Sequence, residues 1–229
     1  MPQTSTESHA GGIGGADLLR RIRNGDAGAF ETLMRECNRK LFRIARAILK
    51  NDSDAEDALQ EAYVTAYVAV KDFRGDSSVS TWLSRIVINE ALGRMRKNRR
   101  AAEVIPLASG DHEAIRAEAE AVSDDYSTSP EQAALRSQLR AVLEHKIDAL
   151  PVAFRTVFIM RELEEMTVEE TAQALGIPEA TVRTRLFRAK SLLRETLATE
   201  IDITLPDAFS FDGSRCDRIV ARVLERIQR

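Results

Sequence analysis

Six cations crowd into residues 85–100: Arg85, Arg94, Arg96, Lys97, Arg99 and Arg100 face the single acid Glu90. A second block, 179–195, sets Arg183, Arg185, Arg188, Lys190 and Arg194 against Glu179 and Glu195. Between them, residues 103–131 carry eight acids against Arg116 alone, and residues 52–61 hold five acids and no base. The net charge of −3 therefore conceals a strong segregation. Two basic blocks flanking an acidic middle suit a polyanion gripped at two places, although solvated helix faces would give the same composition. Bond-making chemistry has no such constellation. His9, His112 and His145 are scattered, and Cys37 and Cys216 lie far apart with no CxxC or Cys/His spacing. No nucleophile, metal site or cofactor site is indicated, and the chain is read as no enzyme. The cysteines fit reduced thiols in a cytoplasmic protein better than a disulfide framework.

The elements that position these charges are expected to be helices. Of 229 residues, 44% are hydrophobic and 30% charged, enough for a packed core and too polar for a membrane protein. Aromatics reach only 5%, and Gly and Pro are scarce at 11 and 6, which disfavours an all-β fold. No apolar run approaches the roughly 18 residues of a membrane-spanning helix, so no direct membrane insertion is expected. Residues 1–15 lack the basic and apolar regions of a signal peptide and read as a disordered leader.

Residues 16–100 read as one helical domain. Phe30, Leu33, Met34, Cys37, Leu41, Ile44, Ala45, Ile48 and Leu49 recur at three and four, the pattern of an amphipathic helix. Ser53-Asp54-Ala55-Glu56 has the form of a capping box and opens a second helix. The face opposite its apolar stripe gathers Asp54, Asp57, Gln60 and Glu61. A polar loop, 71–78, precedes a third long helix from Val79 to about Arg100. Trp82, Leu83, Ile86 and Val87 are its expected buried side, with Arg85, Asn89, Arg96 and Arg99 in one stripe opposite.

Residues 101–130, acidic and rich in Ala and Ser, read as a flexible linker, with a transient helix near 113–121. A second helical domain is expected over 131–198, beginning with a helix at 131–148 and another after Leu150-Pro151. Thr167-Val168-Glu169-Glu170 is another capping box, opening a short helix from Val168 to Leu175. Gly176-Ile177-Pro178 forms a tight turn, with Pro178 suited to the first helical position, and a helix from Glu179 to about Leu197 follows. Helix, glycine-containing turn, helix is the helix-turn-helix outline, whose second helix enters the major groove. At 100° per residue Val182, Leu186, Ala189 and Leu193 form its core side. Ala180, Thr184, Phe187, Arg188 and Ser191 then point outward, with Arg183 at the edge. A large ring facing solvent needs a partner surface, such as a thymine methyl or a sugar–phosphate wall; packing on another helix of the chain is the other reading. The tail, 199–229, holds a loop and a short basic amphipathic helix from Cys216 to Ile227.

DAEDALQEAYVTAY (54–67), STWLSRIVINEALGRMRKNRR (80–100) and LPVAFRTVFIMRELEEMTVEETAQALGIPEATVRTRLFRAKSLLRE (150–195) resemble the bacterial extracytoplasmic-function sigma factors. The resemblance spans that family's regions 2 and 4 in the expected order, without regions 1 and 3. It implies an all-α chain: a region 2 helical bundle and a region 4 helix-turn-helix joined by the acidic linker. It further implies an alternative RNA polymerase sigma factor that binds core polymerase, recognises promoter −35 and −10 elements and promotes initiation. Asp54, Asp57, Gln60 and Glu61 would dock on the coiled coil of the polymerase's largest subunit, and the polymerase flap would be a further contact. Phe73, Arg74, Ser77, Arg85 and Asn89 would hold the −10 element, with one base flipped into a pocket. Arg183, Thr184, Phe187 and Arg188 would read the −35 element. Trp82 is expected in the core rather than as a base platform. The linker would thread toward the polymerase's RNA path or act as a plain tether. An anti-sigma factor is the implied regulatory partner. A stand-alone helix-turn-helix repressor or activator is the alternative.

Overall fold

The computed structural model describes residues 15–104, 130–197 and 213–227. The leader, most of the linker with its helix near 113–121, and the loop of the tail lie outside these described residues. All regular structure among the described residues is helical, as composition predicted. The order is α1 (Gly15–Arg23), α2 (Ala27–Leu49), α3 (Asp52–Ala69) with a 3-10 turn at Val70–Asp72, and α4 (Val79–Val104). Then come α5 (Pro130–Ala149), α6 (Val152–Phe158) running into a π turn at Ile159–Leu163, α7 (Val168–Leu175), α8 (Glu179–Leu197) and α9 (Gly213–Ile227). Helix α4 passes the expected boundary near Arg100, and α9 starts three residues before Cys216.

Local chemistry accounts for the helix ends. Asp26 caps α2 by accepting from the Ala29 amide at 3.1 Å, and Lys50 ends it in the left-handed region at φ 60°. The capping box expected at 53–56 does not form. Asn51 caps α3 instead, its Oδ1 accepting from the Asp54 amide at 2.9 Å, which puts Ser53 inside the first turn. Glu56, freed from that role, faces α9.

One core lies among α1, α2, α3, α4 and α9. Leu19, Ile22, Phe30, Met34, Phe42, Leu59, Tyr63, Leu83 and Val87 are buried there with Ile219, Val220 and Val223. Phe30 meets Tyr63 and Tyr67 edge-on, with centroids 6.1 and 5.0 Å apart. Tyr63 is fully enclosed, and its hydroxyl donates to the Met34 carbonyl at 3.3 Å. A second core joins Leu143, Ile147, Phe158, Ile159, Ala189 and Leu193 to Ala47 of α2. A third packs Ile44, Ile48, Ile88 and Ala91 against Met160, Met166 and Ala174, so α7 seats on α4. Ion pairs tie α2 to α5 and to the end of the π turn. Arg43 donates to Glu164 at 3.1 Å with both side chains nearly inaccessible, and Arg46 grips Asp148 with two hydrogen bonds of 2.8 and 3.1 Å.

Burial also sets cysteine chemistry. It pushes the Cys37 thiol up to about 11, well above the ordinary thiol range, and the thiolate is the nucleophile. Iodoacetamide should therefore modify Cys37 about 100-fold more slowly at pH 7.5 than an exposed cysteine. Mass spectrometry of the native protein reads this directly, and alkylation at the exposed rate would refute the burial.

Candidate nucleic-acid interface

The helix-turn-helix forms as its punctuation dictates. Thr167 Oγ1 accepts from the Glu170 amide at 3.0 Å while Glu170 Oε2 accepts from the Thr167 amide at 2.8 Å, a complete capping box. Gly176 closes α7 at φ 64°, its N–H directed to the Ala172 and Gln173 carbonyls. A Cβ at Gly176 would meet nothing within 4 Å, so Gly176→Ala costs only the left-handed strain, about 1 kcal/mol. Thermal denaturation should register that loss; none at all would mean the turn had changed conformation. Pro178 precedes α8 rather than opening it, its carbonyl accepting from the amides of Thr181 and Val182 at 2.9 and 3.2 Å.

On α8, Val182 and Ala189 are completely inaccessible and Leu193 nearly so, with Leu186 half-buried. Arg183, Thr184, Phe187 and Arg188 are all exposed, and Phe187 stands 69% accessible. Among the described residues, the ring therefore does not pack on another helix. Arg183 is held along the helix by Glu179 at 2.6 Å, and the Thr184 hydroxyl donates to the Ala180 carbonyl at 2.9 Å. Not every cation of the block faces outward: Lys190 pairs with Glu162 at 2.9 Å and Arg185 is half-buried.

The second basic face lies on α4 and the loop before it. Arg85 and Asn89 are exposed one turn apart, and Arg96 continues their stripe. Ser78 caps α4, its Oγ accepting from the Thr81 amide at 3.1 Å. Arg74 is exposed beside Gly75 at φ 82°, while Phe73 and Ser77 are half-buried. Phe73 leans on Trp82 with ring centroids 5.0 Å apart. Trp82 is half-buried at the rim of the core, sharing its edge with Phe73. Arg23 of α1 ties this loop down by donating to the carbonyls of Val70, at 3.2 Å, and Phe73. Arg23 escaped sequence reasoning because a nine-residue helix after a glycine-rich leader gives little periodic signal.

The acidic side of α3 is not uniform. Asp54 and Asp57 are half-exposed, and Asp57 takes Arg94 of α4 at 3.2 Å. Glu61 is clasped by Arg226 of α9 at 2.8 and 3.0 Å, a pairing that holds its carboxyl below the ordinary glutamate value. Gln60, expected on the same open face, is instead buried at 7% exposure. Its position, one turn beyond Glu56, lies on the α9 side of the helix. Among the described residues, no group of His, Cys, Asp and Glu could hold a metal ion, and no helix is long and apolar enough to cross a membrane.

An all-helical chain presenting a ring and arginines on the outward helix of a helix-turn-helix has the form of a DNA-binding protein. Residues 33–101 match the family model for sigma-70 region 2, and residues 140–193 match sigma-70 region 4. The chain is 34% identical over 187 residues to the RNA polymerase sigma-H factor of Pseudomonas aeruginosa, covering 79% of this chain and 92% of that protein. It is 31% identical to the ECF RNA polymerase sigma factor SigW of Bacillus subtilis, over 78% of this chain and 94% of the relative. Against the ECF RNA polymerase sigma-E factor of Escherichia coli it is 34% identical, over 77% and 90%. Two solved structures share the fold: CnrH in complex with the cytosolic domain of CnrY, and the sigma factor RpoE with the anti-sigma factor NepR from Bartonella quintana. Their TM-scores are 0.54 and 0.52 at 22% and 19% identity, covering 82% and 79% of this chain and 99% of each structure. The chain belongs to the extracytoplasmic-function family of RNA polymerase sigma factors.

Proposed function

We propose that this chain is a promoter-specificity subunit that joins core RNA polymerase, recognises −35 and −10 elements and promotes opening of the duplex, with no catalysis of its own. The carrying observation is the outward face of α8, where Phe187 is 69% exposed beside Arg183, Thr184 and Arg188. In this reading that face takes the −35 element, its arginines on base edges or phosphates and its ring on an apolar groove wall. Phe73, Arg74, Ser77, Arg85 and Asn89 take the −10 element. Loop 73–77 contributes backbone and ring contacts for a displaced base, while Arg85 and Asn89 follow the strand from α4. Asp54, Asp57, Gln60 and Glu61 dock on the coiled coil of the largest polymerase subunit, and residues 131–198 sit at the flap. Residues 16–100 are then the polymerase-binding and −10-binding unit, and 101–130 the tether. An anti-sigma factor is the proposed regulator, in keeping with the company in which the RpoE structure was solved. The proposed compartment is the cytoplasm, where polymerase and promoter are.

The test mixes purified full-length protein with core RNA polymerase, followed by gel filtration and promoter-dependent transcription. Co-elution with new, sequence-dependent start sites is expected. Tight binding of the free protein to a specific duplex without co-elution would establish a stand-alone regulator instead.

A further inference from the structure

Helix α9 lies outside both matched family regions, the second of which ends at residue 193, yet it is built into the first core. Its apolar stripe, Ile219, Val220 and Val223, is buried between α2 and α3. Its polar edge follows α3 in the same direction. Arg215 meets Asp52 at 2.9 Å and Glu56 at 3.1 Å; Arg218 clasps Glu56 at 2.6 and 2.9 Å; Arg226 clasps Glu61. The other flank is tied to α2, with Arg35 on Asp217 at 2.6 Å and Asn38 donating to Cys216 Sγ at 3.1 Å. Gln60 falls within the stretch of α3 that these pairs bracket, and its side-chain amide is buried with no hydrogen-bond partner. A donor left unsatisfied in this way is costly and rare, and it marks a group suited to a partner other than the one now above it.

We infer that α9 is a built-in competitor of core polymerase: it occupies the acidic side of α3, masks Gln60 and Glu61, and must leave when polymerase docks. The inference rests on the reading of α3 as the polymerase-docking helix. Several features make the occupant exchangeable. The pair between Arg226 and Glu61 is solvent-exposed on both sides, at 42% and 43%, the setting in which ion pairs hold weakly. The polymerase surface expected opposite the same carboxylates must be cationic as well, so the arginines of α9 imitate the charge they displace. A chain closed in this way has its apparent affinity reduced by the fraction open, and loosening α9 raises that fraction.

The experiment measures core polymerase affinity of three full-length proteins: the unmodified chain, the double variant Arg218→Glu with Arg226→Glu, and Asp57→Arg. Asp57 pairs with Arg94 of α4, so its replacement reports on docking and not on α9. The double variant should bind polymerase about 10-fold more tightly, and Asp57→Arg should bind more weakly. Hydrogen exchange of 213–227 in the unmodified chain should quicken when polymerase is added, an outcome that needs no variant to fold. If Asp57→Arg weakens binding while the double variant gains nothing and α9 stays protected in the complex, the competitor role is overturned and the docking reading stands. If Asp57→Arg leaves binding unchanged, the docking reading falls and the inference with it.

Discussion

Replacing Arg155 by alanine should lower the free energy of unfolding by about 3 kcal/mol or more. Arg155 is the largest fully buried side chain among the described residues, 1% exposed, and its guanidinium is spent on backbone carbonyls. It donates to Asp148 at 2.9 Å, Leu150 at 2.8 Å, Ile48 at 3.4 Å and Ala47. Ala47 and Ile48 belong to the last turn of α2, and Asp148 to the last turn of α5, where carbonyls lack partners within their own helix. A cation between two helix C-termini also meets the negative ends of both macrodipoles. Alanine would leave those carbonyls buried and unpaired and open a void at the contact between α2 and α6. Lysine should recover less than half of the loss, because one ammonium cannot reproduce the planar fork. Urea unfolding followed by Trp82 fluorescence and circular dichroism measures both. A midpoint unchanged in Arg155→Ala would mean that water or a neighbouring donor serves these carbonyls, and that the guanidinium is not the clamp.

Arg155 also illustrates what could not be read in advance. Its sequence neighbourhood announces a helix after Leu150-Pro151, and the helix is there. Nothing local says that the side chain reaches carbonyls more than a hundred positions away. The all-helical class was legible because breakers and rings are scarce and the apolar spacing is regular. The turn between α7 and α8 was legible nearly to the residue, because a capping box, a left-handed glycine and a proline stand within twelve positions. The start of α3 was misread because both Asn51 and Ser53 are good caps, and the tie is broken by backbone geometry. The π turn at Ile159–Leu163 left no mark, since one extra residue in a turn barely disturbs a short apolar pattern.

The candidate site divides in the same way. The outward set on α8 followed from helical periodicity alone, because one face of that helix is committed to the core. On α3 periodicity misled for Gln60. Its position is polar and flanks the apolar stripe, so it reads as solvent-facing until α9 is laid beside it. Arg218, which clasps Glu56, and Arg226, which clasps Glu61, are 162 and 165 residues distant from them, beyond any local pattern. What sequence supplied there was only the complementary charge of two amphipathic helices.

Phe187→Ala and Arg188→Ala should each weaken use of a −35 element by about 1–3 kcal/mol, roughly 5- to 150-fold, while leaving the fold intact. Exposure decides the second half of that statement. Both side chains stand in solvent, so the stability of each variant should stay within about 0.5 kcal/mol of the parent. The measurement is promoter-dependent transcription by the reconstituted holoenzyme across every single base-pair change in the −35 element. If Arg188 reads a guanine edge, the loss in Arg188→Ala should shrink wherever that base pair is already changed. A phosphate contact would give an equal loss on every template and a salt dependence shallower by about one counterion. Phe187 has no charge, so its removal should leave the salt slope unchanged; if it packs on a thymine methyl, its effect should disappear when that thymine is replaced. Unimpaired transcription by Phe187→Ala would make the ring a bystander, and the remaining discrimination on α8 would have to come from Arg183, Thr184 and Arg188. Arg183 enters that contest at a disadvantage, because Glu179 already holds its guanidinium at 2.6 Å and must be released before a base edge can be reached.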